Sequence, residues 1–267
     1  MVHLILTGAT GLVGSSVLLH VLSLPPTTSI TRLSILSRSP VPLATSAKRM
    51  NTTTEIEIID HKDYLSYPPE VLAKLRGAKG VIWAQGISQN AVGKDEYVKI
   101  TKDYPLVAAD AFTGLNDKGF NFVYVSGEGA THSPGRFSQI FARVKGETEL
   151  ALLGFSEQHP NVRSIITRPG GVDGTYQPAI KEVFEGWKQK QGLAIRAAAP
   201  VLLPLLRATY KNMISPTEEL GKTLVELAMR EEGTPLKGPG VEGVNGEGDE
   251  GWVVRCRGLR RMGGLSY

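Results

Sequence analysis

The sequence has only one cysteine, Cys256, among its 267 residues. A single cysteine cannot form a disulfide within the chain, which excludes a small scaffold held together by disulfides. The sequence also lacks a run of about 18 apolar residues, so it predicts no membrane-spanning helix. Its first residues resemble a strand and show no basic segment followed by a signal-peptide cleavage site. We therefore expect a cytoplasmic protein, with Cys256 as an ordinary residue of its C-terminal segment.

A strong charge of one sign is missing as well. The formal net charge is +4, and no dense block of lysine and arginine occurs in the first 250 residues. Nucleic-acid binding is therefore not expected. Residues 252–254 are interpreted as one short returning strand. The four arginines after it are interpreted as a solvated basic tail, with a contact to nucleic acid or acidic lipid as the alternative. The chain does have the material for a core, since 41% of its residues are hydrophobic.

Three glycines follow the first apolar segment at a regular spacing: Gly8, Gly11 and Gly14. Residues 2–7 before them are typical of a strand, and residues 15–22 after them are typical of a helix. A glycine turn between a strand and a helix brings the pyrophosphate of a dinucleotide to the helix N-terminus. The predicted cofactor contacts in this turn are Gly8, Thr10, Gly11, Leu12, Val13 and Gly14.

Strand-like and helix-like segments alternate over the first 170 residues. Further strands are predicted at 30–37, 55–60, 81–86, 122–127 and 162–168, and helices at 69–77, 95–115 and 136–155. This alternation predicts an α/β fold with a doubly wound parallel sheet, the Rossmann arrangement.

Three regions follow from this pattern. Residues 1–175 are the predicted dinucleotide-binding domain, 176–232 a small helical substrate or lid region, and 233–267 a glycine-rich loop with the basic tail. Within the second region, Leu193–Tyr210 is expected to line a substrate pocket or an interface. Ser215 is the expected N-cap of a helix that runs to about Glu232.

The ends of three predicted strands suggest which nucleotide binds. The second strand ends in Ser37-Arg38-Ser39, which contains no acidic residue. In such folds an acidic residue at this point binds the ribose of NAD, whereas an arginine accommodates the phosphate of NADP. NADP(H) is therefore favoured over NAD. Asp60, at the end of the third strand, either bonds the adenine or caps the next segment. Ala84 and Gly86 end the fourth strand, where the backbone approaches a ligand.

These residues, with Lys145 in a long helix and the turn Arg168-Pro169-Gly170, resemble the short-chain dehydrogenase/reductase superfamily. The sequence is most similar to its atypical, epimerase-like branch, which includes the Tat-interacting-protein group. The resemblance covers about residues 2–227. It implies that the glycines hold the pyrophosphate and that Lys145 bonds the nicotinamide ribose. It also implies that Pro169 lies on the nicotinamide side.

The residue four positions before Lys145 departs from the family pattern. It is Phe141, where the resemblance implies a tyrosine that protonates the substrate carbonyl. Residues at this spacing share one face of a helix, so Phe141 is expected beside the nicotinamide. Phenylalanine has no proton to donate. Cofactor binding should survive, and a reductase activity without a substitute acid should be weak, since such an acid typically contributes about 10²–10⁴-fold.

The family's catalytic serine is assigned to Ser126, at the end of the fifth strand, with Thr131 and Ser133 as alternatives. His132 is the first candidate for a substitute acid because imidazole titrates near neutral pH. Tyr176 is a second candidate. Lys145 and Ser126 are the predicted catalytic residues.

Two functions fit these observations. One is an NADP(H)-dependent oxidoreductase acting on a carbonyl or alcohol of a small molecule. The other is an NADPH-binding regulatory or interaction protein without turnover. A homodimer is expected because the long helices at 95–115 and 136–155 pair in many members of the superfamily that the chain resembles.

Overall fold

The chain is described by a computed structural model covering residues 1–46, 51, 53–189, 211–232, 234–243 and 251–265. Its strands are β1 (Val2–Thr7), β2 (Ile30–Ser37), β3 (Glu55–Asp60), β4 (Gly80–Trp83), β5 (Phe120–Val125), β6 (Val162–Arg168), β7 (Gly171–Asp173), β8 (Ile214–Pro216), β9 (Val241–Gly243) and β10 (Gly251–Arg255). The α-helices are α1 (Leu12–Ser23), α2 (Leu43–Ser46), α3 (Pro69–Leu75), α4 (Lys94–Val98), α5 (Tyr104–Phe112), α6 (Ile140–Gln158), α7 (Lys181–Gln189), α8 (Thr217–Ala228) and α9 (Cys256–Met262). The segment Leu193–Tyr210, expected to line a pocket or an interface, lies outside the described residues.

Eight strands form one sheet in the order β3-β2-β1-β4-β5-β6-β10-β9. Every neighbouring pair is parallel except β9 and β10. The strand order reverses between β1 and β4, which is the topological switch point of a doubly wound sheet. The predicted α/β Rossmann fold is therefore confirmed.

Helices cover both faces of the sheet. On one face, α1 and α8 pack on the strands through Leu18, Leu22 and Leu224. On the other face, α3, α5 and α6 enclose a second core that includes Trp83 and Phe122. Burial on both faces explains why the inner strands are apolar along their whole length rather than alternating.

The short strand expected at 252–254 is present as β10, and the arginines expected in a solvated tail lie at its end and in α9. Strand β10 pairs in parallel with β6, from Gly251 opposite Ser164 to Arg255 opposite Arg168. Trp252 and Val254 are buried in the same core as α1, and Cys256 is buried at the start of α9. Pairing with β6 and burial of the apolar residues of β10 stabilise this strand and hold the C-terminal segment against the core.

The single helix expected at 95–115 is interrupted. A π-helical turn, Lys99–Asp103, separates α4 from α5. Pro105 has no N–H, so the Thr101 carbonyl four residues earlier loses its usual helical donor. The Tyr124 hydroxyl donates to that carbonyl at 3.0 Å, and the Thr148 hydroxyl donates to it at 3.3 Å.

The expected cap at Ser215 is also wrong. Ser215 lies in β8, and α8 begins at Thr217 after Pro216, with no side-chain hydrogen bond at its cap. The Ser215 hydroxyl accepts a hydrogen bond from the Gly170 N–H at 3.1 Å instead. The helix ends at Ala228 rather than at about Glu232.

None of the helices in the described part of the chain has the length and apolar character needed to cross a membrane.

Candidate cofactor and active site

A cavity of about 1190 Å³ opens at the carboxyl edge of the sheet, where β1 and β4 diverge. Its walls come from the residues that follow β1, β4, β5 and β6. Ligands of doubly wound folds bind at this edge. Pockets for one drug-sized ligand are about 300–1,000 Å³, so this cavity has room for a dinucleotide end together with a second small molecule.

The glycine turn has the shape that a dinucleotide requires. Gly8 has a φ of +69°, and a Cβ there would overlap the Ala84 carbonyl. A Cβ on Gly14 would overlap the Gly8 carbonyl, so neither position tolerates a side chain.

Helix α1 starts against the cavity. Its cap residue is Gly11, no acidic residue lies in its first turn, and Thr10, Leu12 and Val13 line the cavity. Backbone N–H groups at such a helix start attract an anion. The residues present therefore fit a dinucleotide pyrophosphate.

The residues after β4 form the opposite wall. Ala84 and Gly86 line the cavity, and the backbone of Ala84 contacts the glycine turn. Gln85 also lines it, with both side-chain polar atoms buried and unpaired among the described residues. Gln85 was not predicted, although its place between two predicted contacts was a usable signal.

Arg38 and Asp60 lie beside each other at the carboxyl ends of β2 and β3, since Ser37 pairs with Asp60. Both side chains are exposed. Asp60 forms an ion pair with Lys62 at 3.5 Å, and no described residue bonds to Arg38. The structure thus places both residues at the tip of the sheet, outside the wall of the cavity.

Phe141 and Lys145 lie on the cavity side of α6, as their spacing predicted. The Phe141 N–H donates to the Gln89 side chain at 2.8 Å, which fixes the start of the helix. The Lys145 ammonium donates to the carbonyls of Val125 and Ser126, both at 2.9 Å. Burial lowers the pKa of Lys145 to about 8, against an opposing effect of Glu149.

Ser126 lines the cavity, but its hydroxyl donates to the buried carboxylate of Glu149. Arg168 bonds the same carboxylate through its Nε at 3.1 Å and through one terminal nitrogen. His132 Nε2 lies 2.7 Å from Glu149 Oε2. Glu149 thus joins Ser126, Arg168 and His132 in one network, which sequence reasoning missed. Its position four residues after Lys145, on the same helical face, was the available signal.

The alternative donors lie elsewhere. Ser133 and His132 are in an exposed loop, and Tyr176 is 72% exposed. The Thr131 backbone packs against Gly146 of α6, where a Cβ would overlap it. None of these residues is among the described residues that line the cavity.

The C-terminal segment supports the loop after β5. Glu128 lines the cavity, accepts from the Cys256 N–H at 2.9 Å and pairs with Arg255 at 3.0 Å. The Glu128 N–H donates to the carbonyl of Pro169, which also lines the cavity. The end of the chain therefore positions the two loops on the predicted nicotinamide side.

Two curated relatives are similar in sequence, although no family model matches the chain. The leucinostatins biosynthesis cluster protein T of Purpureocillium lilacinum is 32% identical over 274 residues, which cover 97% of this chain and 94% of the relative. The botcinic acid biosynthesis cluster B protein 16 of Botryotinia fuckeliana (strain B05.10) is 42% identical over 147 residues, covering 55% of this chain and 88% of the relative.

Solved structures share the fold at low sequence identity. The reductase domain of PhqB from Penicillium fellutanum has a TM-score of 0.58 at 14% identity, covering 86% of this chain and 65% of that chain. WbmF from Bordetella bronchiseptica in complex with NAD+ has a TM-score of 0.59 at 11% identity, covering 100% and 79%. BdcA in complex with NADPH has a TM-score of 0.57 at 14% identity, covering 85% and 86%.

The chain has the Rossmann fold of these solved structures. It belongs to the family of the leucinostatins biosynthesis cluster protein T.

Proposed function

We propose that this chain binds NADP(H) and transfers a hydride to or from a carbonyl or alcohol carbon of a biosynthetic intermediate. The observation that carries the proposal is that one continuous cavity has the glycine turn and Lys145 of α6 on its wall. The reduced nicotinamide, when bound, supplies the hydride. The Gly8–Gly14 turn binds the pyrophosphate, and Lys145 and Pro169 lie at the end where the second molecule is held.

The names of the relatives support the choice of substrate. Both curated relatives are named for biosynthesis clusters, one for leucinostatins and one for botcinic acid. The substrate end of the cavity is largely apolar, with Val172, Met213 and Ile214 on its wall. A mainly apolar biosynthetic intermediate with one reducible or oxidisable carbon suits such a wall.

The preference for NADP over NAD depends on Arg38. This side chain is exposed at the end of β2, where a ribose phosphate would lie. We expect Arg38→Ala to weaken NADPH binding by about tenfold, the effect of losing about 1.4 kcal/mol. NADH binding should change little, because no phosphate is present at that position.

Titration of both nucleotides by fluorescence or calorimetry measures this effect. Arg76→Ala is the control, since Arg76 is exposed at the end of α3. It lies at the amino ends of the strands, away from the cavity. Equal losses of NADPH and NADH affinity in Arg38→Ala would remove the argument for NADP. Wild-type protein that binds neither nucleotide would overturn the proposed function.

A second function is favoured by one specific observation. Phe141 occupies the tyrosine position, and the Ser126 hydroxyl is engaged by Glu149. A protein that binds NADPH without turnover would also show this arrangement. A homodimer is compatible with either function, because α6 is one of the two long helices that pair in many members of the superfamily that the chain resembles.

Phe141→Tyr separates the two functions. Assays of wild type and variant should follow NADPH oxidation with an activated ketone such as trifluoroacetophenone. For the oxidoreductase we expect measurable wild-type turnover, and a gain in the variant of no more than about tenfold where another residue already supplies the proton. Tight NADPH binding with no turnover in either protein would instead support the second function.

A further inference from the structure

The region around Phe141 is poor in free proton donors. The Ser126 hydroxyl donates to Glu149, and the Tyr124 hydroxyl donates to the Thr101 carbonyl at 3.0 Å. Burial also raises the pKa of Tyr124, so this phenol holds its proton more tightly than usual. Beside Phe141 on the cavity wall, Lys145 has a hydrogen that none of the described residues accepts.

The ammonium of Lys145 is held in a fixed position. Two of its three hydrogens are used by the carbonyls of Val125 and Ser126 at 2.9 Å. Its Nζ lies 5.4 Å from the centre of the Tyr124 ring and 6.0 Å from the centre of the Phe141 ring. Since Lys145 lines the cavity, the third hydrogen is available to a bound molecule.

We propose that the ammonium of Lys145 is itself the proton donor to the substrate oxygen, in place of the tyrosine that Phe141 replaces. This inference rests on the proposed oxidoreductase function and goes beyond a ribose-binding role for the lysine. In the reduction, the carbonyl carbon receives the hydride and the carbonyl π electrons form the new O–H bond with the Lys145 proton. The neutral amine then takes a proton from water.

The surroundings make this lysine an unusually good acid. Burial lowers its pKa to about 8, and an acid is most effective when its pKa is near the working pH. Glu149, one helical turn further along α6, opposes this shift. Its charge is shared with Arg168 on β6 and with His132 in the loop after β5. Tyr124 on β5 is neutral because burial raises its pKa.

The first test measures the titration of Lys145 directly. Competitive labelling of the full chain with acetic anhydride from pH 6 to 11, read by mass spectrometry, gives the midpoint for each lysine. We expect a midpoint near 8 for Lys145, well below the ordinary lysine value of 10.5. NADPH should protect Lys145 from the reagent. A midpoint near 10.5 at Lys145 would overturn the inference.

The second test uses Lys145→Arg. Arginine keeps the positive charge and can bond a ribose, but its guanidinium does not release a proton at these pH values. We expect NADPH affinity to fall less than about threefold, and reduction of trifluoroacetophenone to fall by about 10²-fold, the usual contribution of a general acid. Adding Phe141→Tyr to this variant should restore turnover, because the phenol supplies the proton.

Rates against pH complete the test. Wild-type reduction should decrease as the pH rises through about 8, since Lys145 loses its proton there. The double variant should show no decrease at that pH. Parallel losses of NADPH affinity and turnover in Lys145→Arg would show a ribose anchor only and contradict the inference. A wild type that binds NADPH but reduces no ketone would also contradict the inference. Absence of NADPH binding would instead contradict the proposed function itself.

Discussion

Gly14 lies so close to the Gly8 carbonyl oxygen that a methyl group cannot fit between them. The contact is between two backbone segments, so neither can move aside as a flexible side chain would. Gly8 depends on its φ of +69°, which other residues adopt only with strain. The shape of the glycine turn therefore depends on Gly8 and Gly14 individually, because a side chain at either position would not fit.

We predict that Gly14→Ala destabilises the fold by about 1–3 kcal/mol, the usual cost of overpacking, and weakens NADPH binding at least about tenfold. The reason is that helix α1 must shift away from the turn that it closes. Urea unfolding and nucleotide titration measure the two effects.

Gly154→Ala is the matched control for this variant. A Cβ at Gly154 on α6 has open space around it, so alanine there should add up to about 1 kcal/mol of helix stability. NADPH binding should not change. Unchanged NADPH affinity in Gly14→Ala would show that the turn does not hold the pyrophosphate.

Strand β10 shows how a short element far along the chain can belong to the core. It extends the sheet beside β6, and its last residue, Arg255, pairs with Glu128 on the cavity wall. The element therefore links the sheet edge to the loop after β5. A solvated tail would have no such connection.

We predict that Trp252→Ala lowers the free energy of unfolding by about 3–5 kcal/mol, as for other buried aromatic residues. Trp252 is only 4% exposed in the core beneath α9. Tyr176→Ala, at a residue that is 72% exposed, should change stability by no more than about 0.5 kcal/mol. The two variants are compared by their urea midpoints, provided that the free energy of unfolding depends on urea concentration with the same slope in both. An unchanged midpoint in Trp252→Ala would place residue 252 outside the core.

The elements differ in how well the sequence predicts them. Strands β2, β3 and β6 end where their β-branched runs end, and the Gly8–Gly14 turn follows β1 as its spacing indicated. Strand β10 was indicated by its apolar run at 252–254, but its pairing with β6 could not be predicted, because the two strands lie far apart in sequence. The break before α5 had a visible cause in Pro105, since proline removes a helical donor. The Ser126–Glu149 bond could not be predicted, because it depends on how α6 packs against β5.

The stability of the whole molecule should depend on pH through three histidines, of which His61 is buried and His3 and His20 are partly buried. Burial is the main cause of the lowered pKa of His3, His20 and His61. The unfolded chain binds protons at these sites near the ordinary value of 6.5, whereas the folded chain binds them only at lower pH. The stability that these three histidines contribute is therefore fully present above about pH 6.5. It is lost as the pH falls below that value.

We predict that the urea midpoint decreases steadily from pH 7.5 to pH 5, before most carboxylates are protonated. His61→Gln should make this decrease smaller, since His61 is 5% exposed between Tyr64 and Tyr67. A midpoint that is constant over this range would contradict the prediction.

The position of β10 also has a consequence during protein synthesis. Roughly 80 residues separate β6 from β10, so at about 5–20 residues per second the ribosome needs about 4–16 s to produce the missing neighbour. During that time β6 presents an unpaired edge, which is a template for association with other chains. The interval between the two strands is therefore when a nascent chain is most exposed to aggregation and to capture by chaperones.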